Sequence, residues 1–184
     1  MRLRPGQLAP QFEVRDIYGQ RIRLADYAGS KVLLSFHRAA VCPLCTMRTY
    51  HMINRYPEYR RRGMAVISFW ESSPEQAYRY LDQMHAPFPI IADRERAVYA
   101  RYGLESSLFG TLWGRLTRGS VYREAAKLRL GAGTIKSALL SGRAFGRMPG
   151  DFLIGPDQRI IRVYYGHDAG DFMLFSEIDA FATS

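Results

Sequence analysis

The chain has 184 residues, 47% of them hydrophobic and 23% charged, the make-up of a globular protein long enough to bury a full core without staples. That balance excludes a disordered chain, a collagen and a disulfide scaffold. Lys and Arg number 26 against 17 Asp and Glu, a formal charge of +9, which permits anionic partners without identifying one.

The N-terminus, Met1 to Gly6, lacks the apolar run of a signal peptide, and no stretch approaches the length of an uncharged spanning helix. The expected location is therefore the cytoplasm. Gln11 to Asp16 and Arg21 to Leu24 alternate polar and apolar residues around Tyr18-Gly19, which predicts a hairpin. Lys31 to Phe36 is an apolar run suited to a strand buried on both faces. Cys42 to about Arg62 reads as a helix, with Pro43 tolerated at its start and Gly63 at its end. Pro57 predicts a kink in it. Met64 to Trp70 is a second buried strand. Ser73 caps a helix that opens at Pro74 and runs to about His85. Pro89 to Ala92 is a short strand, and Asp93 caps a helix from Arg94 to Tyr102. This β-α-β-α-β-α order predicts a parallel sheet with crossover helices.

Residues 104–147 break the rhythm. They are rich in glycine and hold eight basic against two acidic residues, so +6 of the +9 lies there. A short helix is expected within Val121 to Leu130. After this insertion, Asp151 to Ile154 and Arg159 to Tyr165 read as an antiparallel hairpin about Gly155 to Gln158. Asp171 to Ala182 is a last amphipathic helix with Asp171 as its cap.

The only two cysteines, Cys42 and Cys45, form Val41-Cys42-Pro43-Leu44-Cys45 after a buried strand and at a helix start. A bridge over so short a loop restrains the unfolded chain little, so a purely structural staple is not expected. A thiol at a helix N-terminus faces unpaired amides and the positive dipole end, which can lower its pKa from about 8.5 to roughly 3.5–7.5. In a chain with βαβ order this spacing reads as a redox motif. Arg38 and Arg48 flank it as candidates to stabilise a thiolate. A zinc site would need four ligands or three plus water; there is no second CxxC, and His37, His51, His85 and His167 have no ligand spacing. No metal or organic cofactor is expected.

The chain carries, in this order, Pro5-Gly6-Gln7-Leu8-Ala9-Pro10-Gln11-Phe12, Asp16-Ile17-Tyr18-Gly19, Phe36-His37-Arg38 leading into the CxxC, Ile91-Ala92-Asp93, and Met148-Pro149-Gly150-Asp151-Phe152. In this order the segments resemble the peroxiredoxin-like family of the thioredoxin superfamily, the alkyl hydroperoxide reductase and thiol-specific antioxidant class. The resemblance implies one thioredoxin-like domain over 1–184, α/β, with a central mixed sheet flanked by helices, an N-terminal β-hairpin and the basic insertion before the last two strands. It also implies a cis Met148–Pro149 bond beside the active cysteines. The chain departs from the family's P-x-x-x-T/S-x-x-C motif. Counted from Cys45, Arg38 and Cys42 stand for the Pro and the Thr; counted from Cys42, Ser35 and Ala39 do. Thioredoxins carry a buried Asp under the motif, where the nearby strand residue here is Ser35.

These readings lead to a thiol-disulfide oxidoreductase that reduces peroxide through a CxxC cycle. Cys42 is the expected nucleophile, Cys45 the resolving thiol, and an external thiol or thioredoxin-type reductant restores the pair. Arg147, just before the Met-Pro pair, is a third candidate to face the sulfurs. His37 is expected to be a hydrogen-bonded structural histidine, with a proton shuttle as the alternative. A protein disulfide reductase, and a non-catalytic binding protein docking through the insertion, remain alternative functions. The insertion reads as a solvated face, a lid or docking surface, or a membrane-surface contact through Leu108, Phe109, Leu112 and Trp113. Nucleic acid is not expected, and a homodimer stays open.

Overall fold

The centre of the sheet is made by the two most apolar runs. β3 (Lys31–His37) and β4 (Met64–Trp70) pair in parallel, Val32 opposite Ala65 and Phe36 opposite Phe69. The computed structural model describes residues 2–104, 148–168 and 170–184. Ahead of this pair, β1 (Glu13–Arg15) and β2 (Arg21–Arg23) form the expected hairpin. On one side of the pair lies β5 (Ile90–Ala92), parallel to β4. On the other lie β6 (Gly150–Ile154), antiparallel to β3, and β7 (Ile160–Tyr165), antiparallel to β6. The order β5-β4-β3-β6-β7 is the expected mixed sheet.

The period of two along β3 divides the core. Val32, Leu34 and Phe36 face a cluster with Phe12, Ile22, Phe69 and Phe152, under the hairpin and α3 (Ala97–Arg101). Leu33 faces the opposite layer, against Met52 and Tyr59 of α1 (Pro43–Arg61) and Ile178 of α4 (Phe175–Thr183). Ser35, two residues on, points into that second layer, where its hydroxyl donates to Asp151 at 2.6 Å. α2 (Pro74–Leu81) begins where Ser73 accepts the amide of Gln76, as expected of that cap. Asp93 accepts the amides of Ala97, Val98 and Tyr99 at the head of α3. α1 runs on through Pro57 and stops at Gly63, whose φ of +71° suits glycine.

Two expectations are corrected. The Met148–Pro149 bond is trans, for there is no cis bond among the described residues. A trans linkage is the lower-energy form, and it feeds Pro149 straight into β6, with its carbonyl taking the amide of Gly166 at 2.9 Å. Asp171 does not cap the last helix. That helix starts at Phe175 with Leu174 as its N-cap, and the Asp171 carboxylate is taken instead by the Tyr164 hydroxyl at 2.6 Å and the His167 amide at 2.8 Å. All but the first residue of the basic insertion over 104–147 lies outside the described residues, and with it the expected helix, the membrane-facing residues and Arg147.

Candidate active site

β3 ends at His37, and a turn delivers the chain to α1. The turn is held by the Ala40 amide on Ser72 Oγ and the Cys42 amide on the Ala39 carbonyl, both at 2.8 Å. Cys42 is the N-cap of α1, with extended backbone, and Pro43 is the first helical residue, where a missing N–H costs nothing. Leu44 and Cys45 therefore carry amides that the helix itself cannot satisfy.

The two thiols are free in this structure and both are buried, Cys42 7% and Cys45 0% exposed. Their environments push them apart. The Cys45 thiol beside Cys42 is the largest influence lowering the Cys42 pKa. It acts against burial and is helped by the Arg38 guanidinium and the Cys45 and Leu44 amides, bringing the thiol from 9.0 to about 6. The sulfur does not close a capping hydrogen bond with those amides; their pull is that of the helix N-terminus as a whole. Burial, followed by the neighbouring Cys42, pushes Cys45 up. The Arg38 amide donates to Cys45 Sγ at 3.4 Å. The surroundings therefore favour the thiolate form at Cys42 over that at Cys45.

The two flanking arginines divide. The Arg38 charge acts on both sulfurs. The Arg48 guanidinium lies against Asp151 at 3.2 Å, with the pair 8% and 0% exposed, and stacks over Phe175 with 3.9 Å to the ring centroid. Asp151 is the residue that sequence reading missed. It accepts from Ser35, from Arg48 and from the Met173 amide at 3.0 Å. The available signal was a carboxylate heading an otherwise apolar strand. Pro149 sits at the mouth of that strand. An open cleft of about 490 Å³ runs beside α1, past Leu44, Met47, Phe172 and Phe175, and so includes one of the two residues between the cysteines. Its apolar wall suits an organic group approaching the pair. Among the described residues no cluster of His, Cys, Asp and Glu could hold a metal.

Residues 5–163 match the model of the AhpC/TSA family. A putative peroxiredoxin of Mycobacterium tuberculosis is 29% identical over 139 residues, 74% of this chain and 88% of that protein. Peroxiredoxin Bcp of Escherichia coli is 26% identical over 125 residues, 67% of this chain and 80% of its own. Among solved structures, peroxidoxin BcpB from M. tuberculosis matches with a TM-score of 0.67 at 18% identity, over 97% of this chain and 94% of that one. A putative thiol:disulfide interchange protein DsbE from Chlorobium tepidum matches with a TM-score of 0.63 at 19% identity, over 98% and 99%. These two likenesses establish the fold, which is thioredoxin-like. The family match spans most of the sequence and includes the helix start that carries both thiols: the chain belongs to the AhpC/TSA family and is a thiol-dependent, peroxiredoxin-like oxidoreductase.

Proposed function

We propose that this chain reduces hydroperoxides through a dithiol/disulfide cycle in which Cys42 attacks and Cys45 resolves. The Cys42 thiolate attacks one peroxide oxygen. An S–O bond forms, the O–O bond breaks, the sulfur is oxidised to a sulfenic acid, and the departing alkoxide or hydroxide takes a proton from water. The Cys45 sulfur then displaces the sulfenic oxygen as water and closes the Cys42–Cys45 disulfide. Two electrons from an external thiol or a thioredoxin-type dithiol reopen it. The observation that carries this reading is the Cys42 thiol at the N-cap of α1, brought to about 6 beside the protonated Cys45. One domain over 1–184 in a cytoplasmic setting, where thiols are kept reduced, suits a pair that must be recycled. No helix among the described residues is long and apolar enough to cross a membrane.

A second assignment has one observation in its favour: the Arg38 amide already donates to Cys45 Sγ, which would support a thiolate there. The same experiment separates the two. Cys42→Ser should abolish peroxide consumption, and Cys45→Ser should leave a Cys42 sulfenic acid that a dimedone-type reagent traps. A Cys42→Ser protein that consumes peroxide at the wild-type rate overturns the assignment. Wild-type protein that ignores peroxide while reducing insulin-type disulfides overturns the proposed substrate class.

A further inference from the structure

Most buried polar atoms of the layer between β3 and α1 have partners. Ser35 donates to Asp151 and Arg48 meets Asp151. The Trp70 indole donates to Ser68 at 2.7 Å. The imidazole of His37 is different, because both of its polar atoms lack a partner. It is 1% exposed, and neither ring nitrogen has a hydrogen-bond partner. Thr49 Oγ1, on α1, is also unpartnered in this layer. The ring stacks on Trp70, with centroids 4.4 Å apart and planes at 17°, and Phe172 closes it in at 5.7 Å. A phenylalanine would make that stack without burying two unpaired polar atoms, each of which costs free energy in an apolar surround.

The position of this ring relates it to the chemistry. His37 is the last residue of β3, and the next residue, Arg38, gives its amide to Cys45 Sγ. Alternation along β3 places His37 on the same face as Ser35, the face that α1 covers. Trp70, the ring it stacks on, belongs to the cluster that holds both cysteines. Burial holds the imidazole neutral, with Arg48 acting the same way, to a pKa of about 3. A neutral imidazole has one donor and one acceptor. A hydroperoxide is also neutral and carries an O–H donor and oxygen acceptors, so the two are complementary.

We propose that His37 is a further catalytic residue, whose buried and otherwise unpartnered imidazole hydrogen-bonds the oxygen of the hydroperoxide as the thiolate attacks it. This rests on the peroxide-reducing reading above. His37 gives up no proton. The sulfur gains the oxygen that carries the hydroperoxide hydrogen, the O–O bond breaks, and the leaving alkoxide is protonated by water. The imidazole N–H and lone pair orient the two oxygens.

The test compares His37→Phe with His37→Gln, which keeps a donor and an acceptor. The reaction of the reduced enzyme with hydrogen peroxide is measured beside the rate of alkylation by iodoacetamide, which reads thiolate reactivity without a peroxide. Expected is a loss of roughly tenfold or more in the peroxide rate for His37→Phe, with alkylation unchanged and the peroxide rate partly restored in His37→Gln. A His37→Phe enzyme at the wild-type peroxide rate overturns the inference. So does an equal loss of peroxide and alkylation rates in both variants, which would mark a structural role. Failure of the wild-type enzyme to react with peroxide would instead overturn the proposed function, so the two failures are distinct. If His37→Phe does not fold, His37→Leu takes its place and is read by the same two criteria.

Discussion

Asp151 and Arg48 meet at 3.2 Å with both side chains almost out of water. Neither is held by the other alone. Asp151 also takes the Ser35 hydroxyl and the Met173 amide, and Arg48 lies between the rings of Phe172 and Phe175. The pair joins four parts of the chain: the middle of β3, the second turn of α1, the start of β6 and the segment leading into α4. It fixes the depth at which α1, and with it the cysteine pair, sits on the sheet.

Removing one partner leaves the other charge buried. Asp151→Ala should therefore destabilise the fold by about 3–5 kcal/mol, well beyond the worth of a surface pair. In a chain of this size each kcal/mol lowers Tm by roughly 2–4 °C, so thermal unfolding reads it directly. The Arg48→Met, Asp151→Leu double variant should recover much of the loss, because it removes both charges and keeps the volume. A single Asp151→Ala variant that melts like wild type would mean that the ion pair does not hold this layer.

The second prediction concerns pH. With Cys42 at about 6, its thiolate fraction is about nine in ten at pH 7 and falls as pH drops through 6. The rate of alkylation at Cys42 should follow that fraction, flat above pH 7.5 and halved near pH 6. Cys45→Ala removes the largest influence lowering the Cys42 pKa, so the midpoint should move up. Arg38→Met removes the next charge and should move it the same way. Peptide mapping of the alkylated residue checks which thiol titrates. A wild-type midpoint near 9, unchanged by either variant, would contradict the geometry.

Local chemistry made much of the fold legible. The apolar runs of β3 and β4, the Ser73 cap and the turn before β7 are all set within a few residues of themselves, and each is where the sequence put it; Asp93 does take the first amides of α3, but that helix starts at Ala97 with Arg96 as its N-cap and not at Arg94. The helix start at Cys42 was legible for the same reason. What was not legible depends on pairing across the sheet. Ser35 was visible as a strand residue near the motif, but the partner that completes it, Asp151, lies 116 positions away and is brought opposite only by the β3–β6 register. Arg48 looked like a neighbour of the thiols because it lies three residues past Cys45, yet the helix turns its guanidinium to Asp151. Asp171 had the look of a cap until Tyr164 and His167 took its oxygens. His37 was expected to be hydrogen-bonded, and only the packed layer shows its ring nitrogens without partners.

Gly166 gives the last prediction. It follows β7 and opens the segment that carries Phe172 onto His37 and Arg48. A Cβ there would lie 2.2 Å from the Asp171 carbonyl oxygen and 3.0 Å from both the ring and the carbonyl oxygen of Pro149. The first of these neighbours is backbone, so relief must come from moving the 166–174 segment away from the mouth of β6, not from a side-chain turn. Overpacking of this kind costs about 1–3 kcal/mol. Gly166→Ala should therefore lower Tm by several degrees, loosen Phe172 from the ring of His37 and expose Trp70, shifting its fluorescence to the red. Gly155→Ala is the control: its Cβ would meet only side-chain atoms of Asp157 and Ile161, at 3.0 Å and beyond, which can give way. If Gly166→Ala and Gly155→Ala match in Tm and Trp70 emission, the 166–174 segment is not held against the sheet as described. A Gly166→Ala protein that loses peroxide activity while its Cys42 alkylation rate holds would tie this segment, through Phe172, to the layer beneath the thiols.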